Sequence, residues 1–270
     1  MSPAQDGAGD LGGETQILVA AESGIATITI NRPRQLNALT QAMWTQLGAE
    51  ARRLDDDDSV SVLVIRGAGG QAFSAGADIR EFKDNAADLS WLTGYNTVVA
   101  DAEEAIAAVS KPTIAMIEGH CLGGGCGIAV ACDIRIAGDT SRFAVPVAKM
   151  GLVYSLAATR RLVALIGPSE TKLLLFSAQA LSSSVACRIG LVNRVVEPTS
   201  LAAETYSLAA AISSGSQLTV RAAKEVVGLI LDGVRQDDAR TAAMQSLSAQ
   251  SDHYVNAVSA FTARPADGAA

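Results

Sequence analysis

Histidine is nearly missing from this chain: His120 and His253 are the only two in 270 residues. Few imidazoles means few candidate bases and few of the commonest metal ligands. No G-x-S-x-G turn is present either, which leaves a serine hydrolase without its nucleophile. The four cysteines, Cys121, Cys126, Cys132 and Cys187, sit in hydrophobic stretches with no CxxC pair, so neither a zinc site nor a disulfide framework is expected. Basic residues are outnumbered 21 to 28 by acidic ones, giving a net charge of −7 that excludes a nucleic-acid or anionic-membrane partner. No apolar run approaches the ~20 residues needed to span a bilayer. The opening "MSPAQDGAGDLGGE" lacks the basic and apolar segments of a signal peptide, so a cytoplasmic protein with reduced thiols is expected. Aromatic residues are only 4%, so aliphatic side chains must fill the core.

What is present alternates. "TQILVAAESGIATITINRP" gives two apolar runs around Glu22-Ser23-Gly24, a hairpin signal. "TQAMWTQLGAEARRL" sets Met43, Leu47, Ala51 and Leu54 on one helical face behind Thr40 as N-cap. The aspartates at 55–58 read as a solvated loop. "VSVLVIRG" and "TIAMIEG" are continuous apolar strands, expected to be covered on both faces. An amphipathic helix fills 90–109, and further helices are expected at 155–166, 168–177, 182–189, 199–213, 216–231 and 236–261. Strands alternating with helices, followed by helices alone, predict an α/β core with a C-terminal helical region.

Two glycine-rich turns carry the chemical signal. "GAGGQAFSAGADIREF" and "GHCLGGGCGIAVACD" each follow a buried strand and lead into a helix. Such turns present unpaired backbone N–H groups at the positive end of a helix dipole. Two N–H groups aimed at one point would stabilise a carbonyl oxygen gaining negative charge. A dinucleotide site fits poorly: Gly67, Gly69 and Ala72 match G-x-G-x-x-A, but no helix starts there.

With "NRPRQLNAL" (31–39), "FSAGADIREF" (73–82), "EGHCLGGGCGIAVACDIRIAG" (118–138) and "GLVNRVV" (190–196), the chain resembles the enoyl-CoA hydratase/isomerase family, the crotonases, over roughly residues 15–262. The resemblance implies a spiral of ββα units with a C-terminal all-helical trimerisation region. The expected layout is a disordered N-terminus at 1–13, an acyl-CoA-binding core at 14–198, a helical oligomerisation region at 199–263 and a disordered tail at 264–270. It also implies an acyl-CoA thioester as ligand, an assembly that is a homotrimer or a dimer of trimers, and a place in fatty-acid-type metabolism. Coenzyme A would belong to the substrate, so no separate cofactor and no metal are expected. The amides of Ala77 and Gly124 would hold the thioester oxygen. Ala75, Asp78, Ile79 and Arg80, with Arg34 and Leu36 opposite, would hold the coenzyme A moiety.

The resemblance breaks at the acids. Hydratases of the family carry two glutamates flanking the water, and those positions are Gly127 and Val147 here; Ser155 stands where some relatives have an aspartate. Neither Gly127 nor Val147 can move a proton. Isomerase, decarboxylase-like or atypical lyase chemistry is therefore expected over two-glutamate hydration, with Tyr154 as a tentative catalytic group. A catalytically inactive acyl-CoA-binding protein is the alternative. His120 is expected to be packed beneath its loop, Lys149 to lie at the surface, and Asp133 to cap or pair at a helix end.

Overall fold

The chain opens with a tight hairpin. In the computed structural model, which describes residues 15–85 and 87–262, β1 (Ile17–Glu22) pairs antiparallel with β2 (Ile25–Ile30). Ser23 (φ 52°) and Gly24 (φ 79°) form the two-residue turn, whose left-handed dihedrals match the twist of the flanking strands. The expected disordered stretches at 1–13 and 264–270 lie outside the described residues.

From the hairpin the strands wind as a spiral. β3 (Val62–Gly67) is followed by β4 (Ala72–Ser74), β5 (Thr113–Ile117) by β6 (His120–Leu122), and β7 (Ile134–Gly138) by β8 (Arg142–Ala144). β9 (Leu181–Ser182) and β10 (Arg194–Val196) come last. The first member of each pair joins a sheet ordered β1-β2-β3-β5-β7-β10, and the second joins a smaller sheet ordered β4-β6-β8-β9. Beyond the hairpin, the large sheet is parallel.

Helices close each turn of the spiral: α1 (Gln41–Asp55), α2 (Ile79–Asp84), α3 (Leu89–Ala107), α4 (Gly124–Ala131), α5 (Val147–Met150) and α6 (Leu156–Ser177). Then come α7 (Ser183–Arg188), α8 (Pro198–Ser213), α9 (Gln217–Leu231), α10 (Ala239–Ala249) and α11 (Asp252–Thr262). Thr40 caps α1 by accepting the Met43 amide at 3.3 Å, as its sequence position suggested. α6 joins the two helices expected at 155–166 and 168–177, with Gly167 (φ 73°) and Pro168 marking the kink between them. The single helix expected over 236–261 is two helices, because Ser251 leaves the first and caps the second through the Tyr254 amide.

Strand parity divides the interior. Leu63, Ile65, Ala115 and Ile117 face the main core with α1, α3, α4 and α6, while Val62, Val64, Ile114 and Met116 face Leu201 and Ala209 of α8. The large sheet is thus covered on both faces, as its continuous apolar strands required. α8 falls beyond the expected boundary at 198 yet packs on the sheet of the core.

Candidate active site

The two glycine turns leave adjacent parallel strands, β4 and β6, and so emerge side by side. A Cβ on Gly76 (φ 87°) would lie 2.8 Å from the Gly124 nitrogen and 2.8 Å from the Leu122 carbonyl oxygen. The first turn therefore runs in direct contact with the start of α4. Gly123 takes φ 52°, ψ −115°, a backbone state that a Cβ strongly disfavours. A Cβ on Gly124 would meet the Trp44 ring at 2.8 Å. Close packing thus accounts for part of the glycine run.

Loop 74–78 is fixed from both sides. The Ser74 hydroxyl donates to the Asn37 carbonyl at 2.8 Å and accepts the Gly76 amide at 3.0 Å. Leu39 donates to Gly76 O (2.7 Å) and accepts from the Asp78 amide (2.9 Å). Because Leu39 bonds residues 76 and 78, the intervening Ala77 N–H points the other way. The amides of Ala77 and Gly124 have no hydrogen-bond acceptor among the described residues.

The residues expected to hold coenzyme A surround this loop. Arg34, Ile79 and Arg80 are exposed; Leu36 and Ala75 are half-buried, with Leu36 in the left-handed region at φ 51°. Asp78 is buried, and its carboxylate accepts from the Arg32 guanidinium (2.9 Å) and the Arg80 amide (3.0 Å). Burial pushes the Asp78 carboxyl up, but the Arg80 amide and Arg32 outweigh it and hold the group below its ordinary range. Arg32 and Asn37 were not singled out in the sequence. Asn37, buried at φ 56°, accepts the Arg32 amide and donates to Ala68 O and Ala72 O, tying the loops together.

One turn below Gly124 lies Gly127. Its missing side chain leaves room for Glu103 of α3, whose Oε1 falls where a Gly127 Cβ would be. The Tyr154 hydroxyl is 3.3 Å from that same point and donates to Gly123 O at 3.1 Å. Glu103 is 2% exposed, and its Oε2 is buried without a partner among the described residues. Burial pushes its carboxyl up to about 7, with Arg161 opposing and Glu104 adding to the shift. Burial, reinforced by Glu103, also holds the Tyr154 hydroxyl well above its ordinary value. No sequence signal marked Glu103, which reads as one more acid on an amphipathic helix.

Among the other expected positions, Val147 begins α5 and packs half-buried against the core. Ser155 caps α6 by accepting the Ala158 amide. His120 is a correction: it is exposed, because β6 alternates and turns Cys121 inward instead. Lys149 lies at the surface. Asp133 pairs with Lys224 at 2.7 Å and accepts the Thr113 amide. A cavity of about 690 Å³ opens between α9 and the C-terminal part of α4, lined by Val130, Lys224 and Val227, with none of the glycine-turn residues. Among the described residues no three His, Cys, Asp or Glu side chains gather to hold a metal, and no helix is long and apolar enough to cross a membrane.

Known proteins share this architecture. Residues 20–264 match the family model described as enoyl-CoA hydratase/isomerase. The Mycobacterium bovis protein named "Probable enoyl-CoA hydratase echA8" is 37% identical over 211 residues, covering 78% of this chain and 80% of that protein. The crotonyl-CoA hydratase of Syntrophomonas wolfei is 34% identical over 230 residues, 85% of this chain and 86% of the other. A crystal structure of an enoyl-CoA hydratase/carnithine racemase from Magnetospirillum magneticum superposes with a TM-score of 0.87 at 31% identity, covering 93% and 94% of the two chains.

Proposed function

The chain belongs to the enoyl-CoA hydratase/isomerase family, and from that premise we propose that it hydrates a 2-enoyl-CoA thioester. The observation that carries this reading is the contact between the two glycine turns, with the Ala77 and Gly124 amides unpartnered beside it. Those amides bind the thioester oxygen and stabilise the enolate that forms when water adds. Arg34 and Arg80 receive the phosphates of coenzyme A, while Leu36, Ala75, Asp78 and Ile79 shape the loop around it. No cofactor is required, because coenzyme A belongs to the substrate.

Hydration displaces the isomerase or decarboxylase-like chemistry that Gly127, Val147 and Ser155 suggested. Relatives at 34% and 37% identity bear the hydratase name. The Tyr154 proton is engaged by Gly123 O, which suits a residue that positions the turn.

The exposed apolar side chains of α9 and α11, among them Val227, Ile230, Leu231 and Phe261, are buried in a homotrimer or a dimer of trimers in this reading. The test is turnover of 2-enoyl-, 3-enoyl- and malonyl-type thioesters by wild type, Gly124→Pro and Gly124→Ala. Both variants bring a Cβ against Trp44, but only proline removes the N–H. Hydration that drops roughly 10²–10³-fold with proline and far less with alanine supports the proposal. Tight binding without product on any ester supports the acyl-CoA carrier instead.

A further inference from the structure

Glu103 occupies an unusual position for a carboxylate. It reaches from α3 into the volume that residue 127 of α4 would fill, with neither a salt bridge nor a hydrogen bond among the described residues. A buried acid without a partner destabilises a fold, so packing alone does not account for it. A Cβ at 127 would meet the Glu103 carboxylate, so the carboxylate keeps this place only while 127 is glycine.

Location supplies the reason. Residues 124 and 127 are three apart on α4, about 4.5 Å along the axis and on one face. The α and β carbons of an acyl thioester lie about 2.5–3.5 Å from its carbonyl oxygen by ordinary bond lengths. Glu103 Oε1 lies at the Cβ point of residue 127, within one helical turn of the amide that would hold the oxygen and on the same face of α4. We propose that Glu103 is the catalytic acid–base of hydration, delivered from α3 into the place left open by Gly127. The proposal rests on the hydratase reading above.

A single carboxylate balances the reaction. Ionised Glu103 takes a proton from water as the water oxygen bonds the β carbon, and the double-bond electrons move onto the thioester oxygen. Protonated Glu103 then returns that proton to the α carbon as the enolate collapses. The groups bearing on it are Arg161 from α6, Glu104 on its own helix and Tyr154 from the turn before α6. An apparent value of about 7 lets Glu103 both take and return a proton near neutrality. The first step needs the ionised form, so the rate rises with pH through that region.

The test uses full-length protein with crotonyl-CoA as substrate and butyryl-CoA as a non-reacting ligand. Glu103→Gln is expected to lower kcat about 10²–10⁴-fold, to abolish the rising pH limb and to leave butyryl-CoA affinity unchanged. The double variant Glu103→Ala/Gly127→Glu moves the carboxylate onto α4 and is expected to recover a measurable part of kcat and the limb. This second variant also serves if Glu103→Gln fails to fold. An active wild type whose Glu103→Gln variant keeps kcat within a few-fold and retains the limb overturns the proposal and leaves the hydratase reading standing. Lost activity with no rescue by the double variant assigns Glu103 a packing role and also overturns it. A wild type that binds butyryl-CoA and hydrates nothing overturns the hydratase reading and this one together.

Discussion

At the scale of the residue, Glu103 and Asp78 show how environment divides two carboxylates. Asp78 is buried beside Arg32 and the Arg80 amide and stays below its ordinary range; Glu103 is buried with no such partner and rises from 4.5 to about 7. The sign for Glu103 follows from the raised value. Its favourable contribution is complete below about pH 4.5 and is lost as pH rises through about 7. The shift corresponds to about 3 kcal/mol withheld from the folded state above neutrality. Glu103→Gln should therefore match wild type in urea unfolding near pH 4.5 and exceed it by up to about 3 kcal/mol at pH 8; parallel curves across that range would contradict the assignment. Legibility at this scale was uneven. The Thr40 cap could be read because capping is local, and so could the Ser23-Gly24 turn. Glu103 could not, since its burial depends on a glycine on another helix. The exposure of His120 is not legible without strand register: one step of parity separates it from buried Cys121.

The element scale concerns how loop 74–78 is held against the start of α4. Asn37 is the fastener, accepting one amide and donating to two carbonyls from a left-handed backbone position. Truncation leaves buried polar groups unpaired, at about 1–3 kcal/mol each. Asn37→Ala should lower the unfolding free energy by about 3 kcal/mol and depress activity at temperatures where the protein remains folded. A change under about 0.5 kcal/mol would show that the loop is held by other means. Tyr154→Phe removes one bond to Gly123 O and should cost about 0.5–1.5 kcal/mol, with a modest fall in kcat. A loss of kcat as large as that of Glu103→Gln would instead place the tyrosine hydroxyl in the proton path. The glycine turns themselves were legible, because three consecutive glycines before a helix need a cause. Their mutual contact was not, since it depends on β4 and β6 being neighbours in the smaller sheet.

For the whole molecule, the spiral places one strand of each pair in the large sheet and one in the small sheet, and the ends of β4 and β6 in the small sheet carry the candidate site. That arrangement follows from the alternation of buried strands and helices only after the connections are known. The C-terminal helices pose a different problem: Phe261 is 79% exposed and Leu231 63%. Apolar area of this kind calls for a neighbour. Light scattering should return three or six times the 27.7 kDa chain mass, and a monomer at micromolar concentration would contradict the proposed assembly.

The central proposal is polarisation of a thioester carbonyl by the Ala77 and Gly124 amides. Isotope-edited infrared spectroscopy of a carbonyl-labelled acyl-CoA reads that event directly. The bound carbonyl stretch is expected at lower frequency than in water, and the downshift should be lost in Gly124→Pro but kept in Gly124→Ala. A bound carbonyl that absorbs at or above its frequency in water would contradict the account.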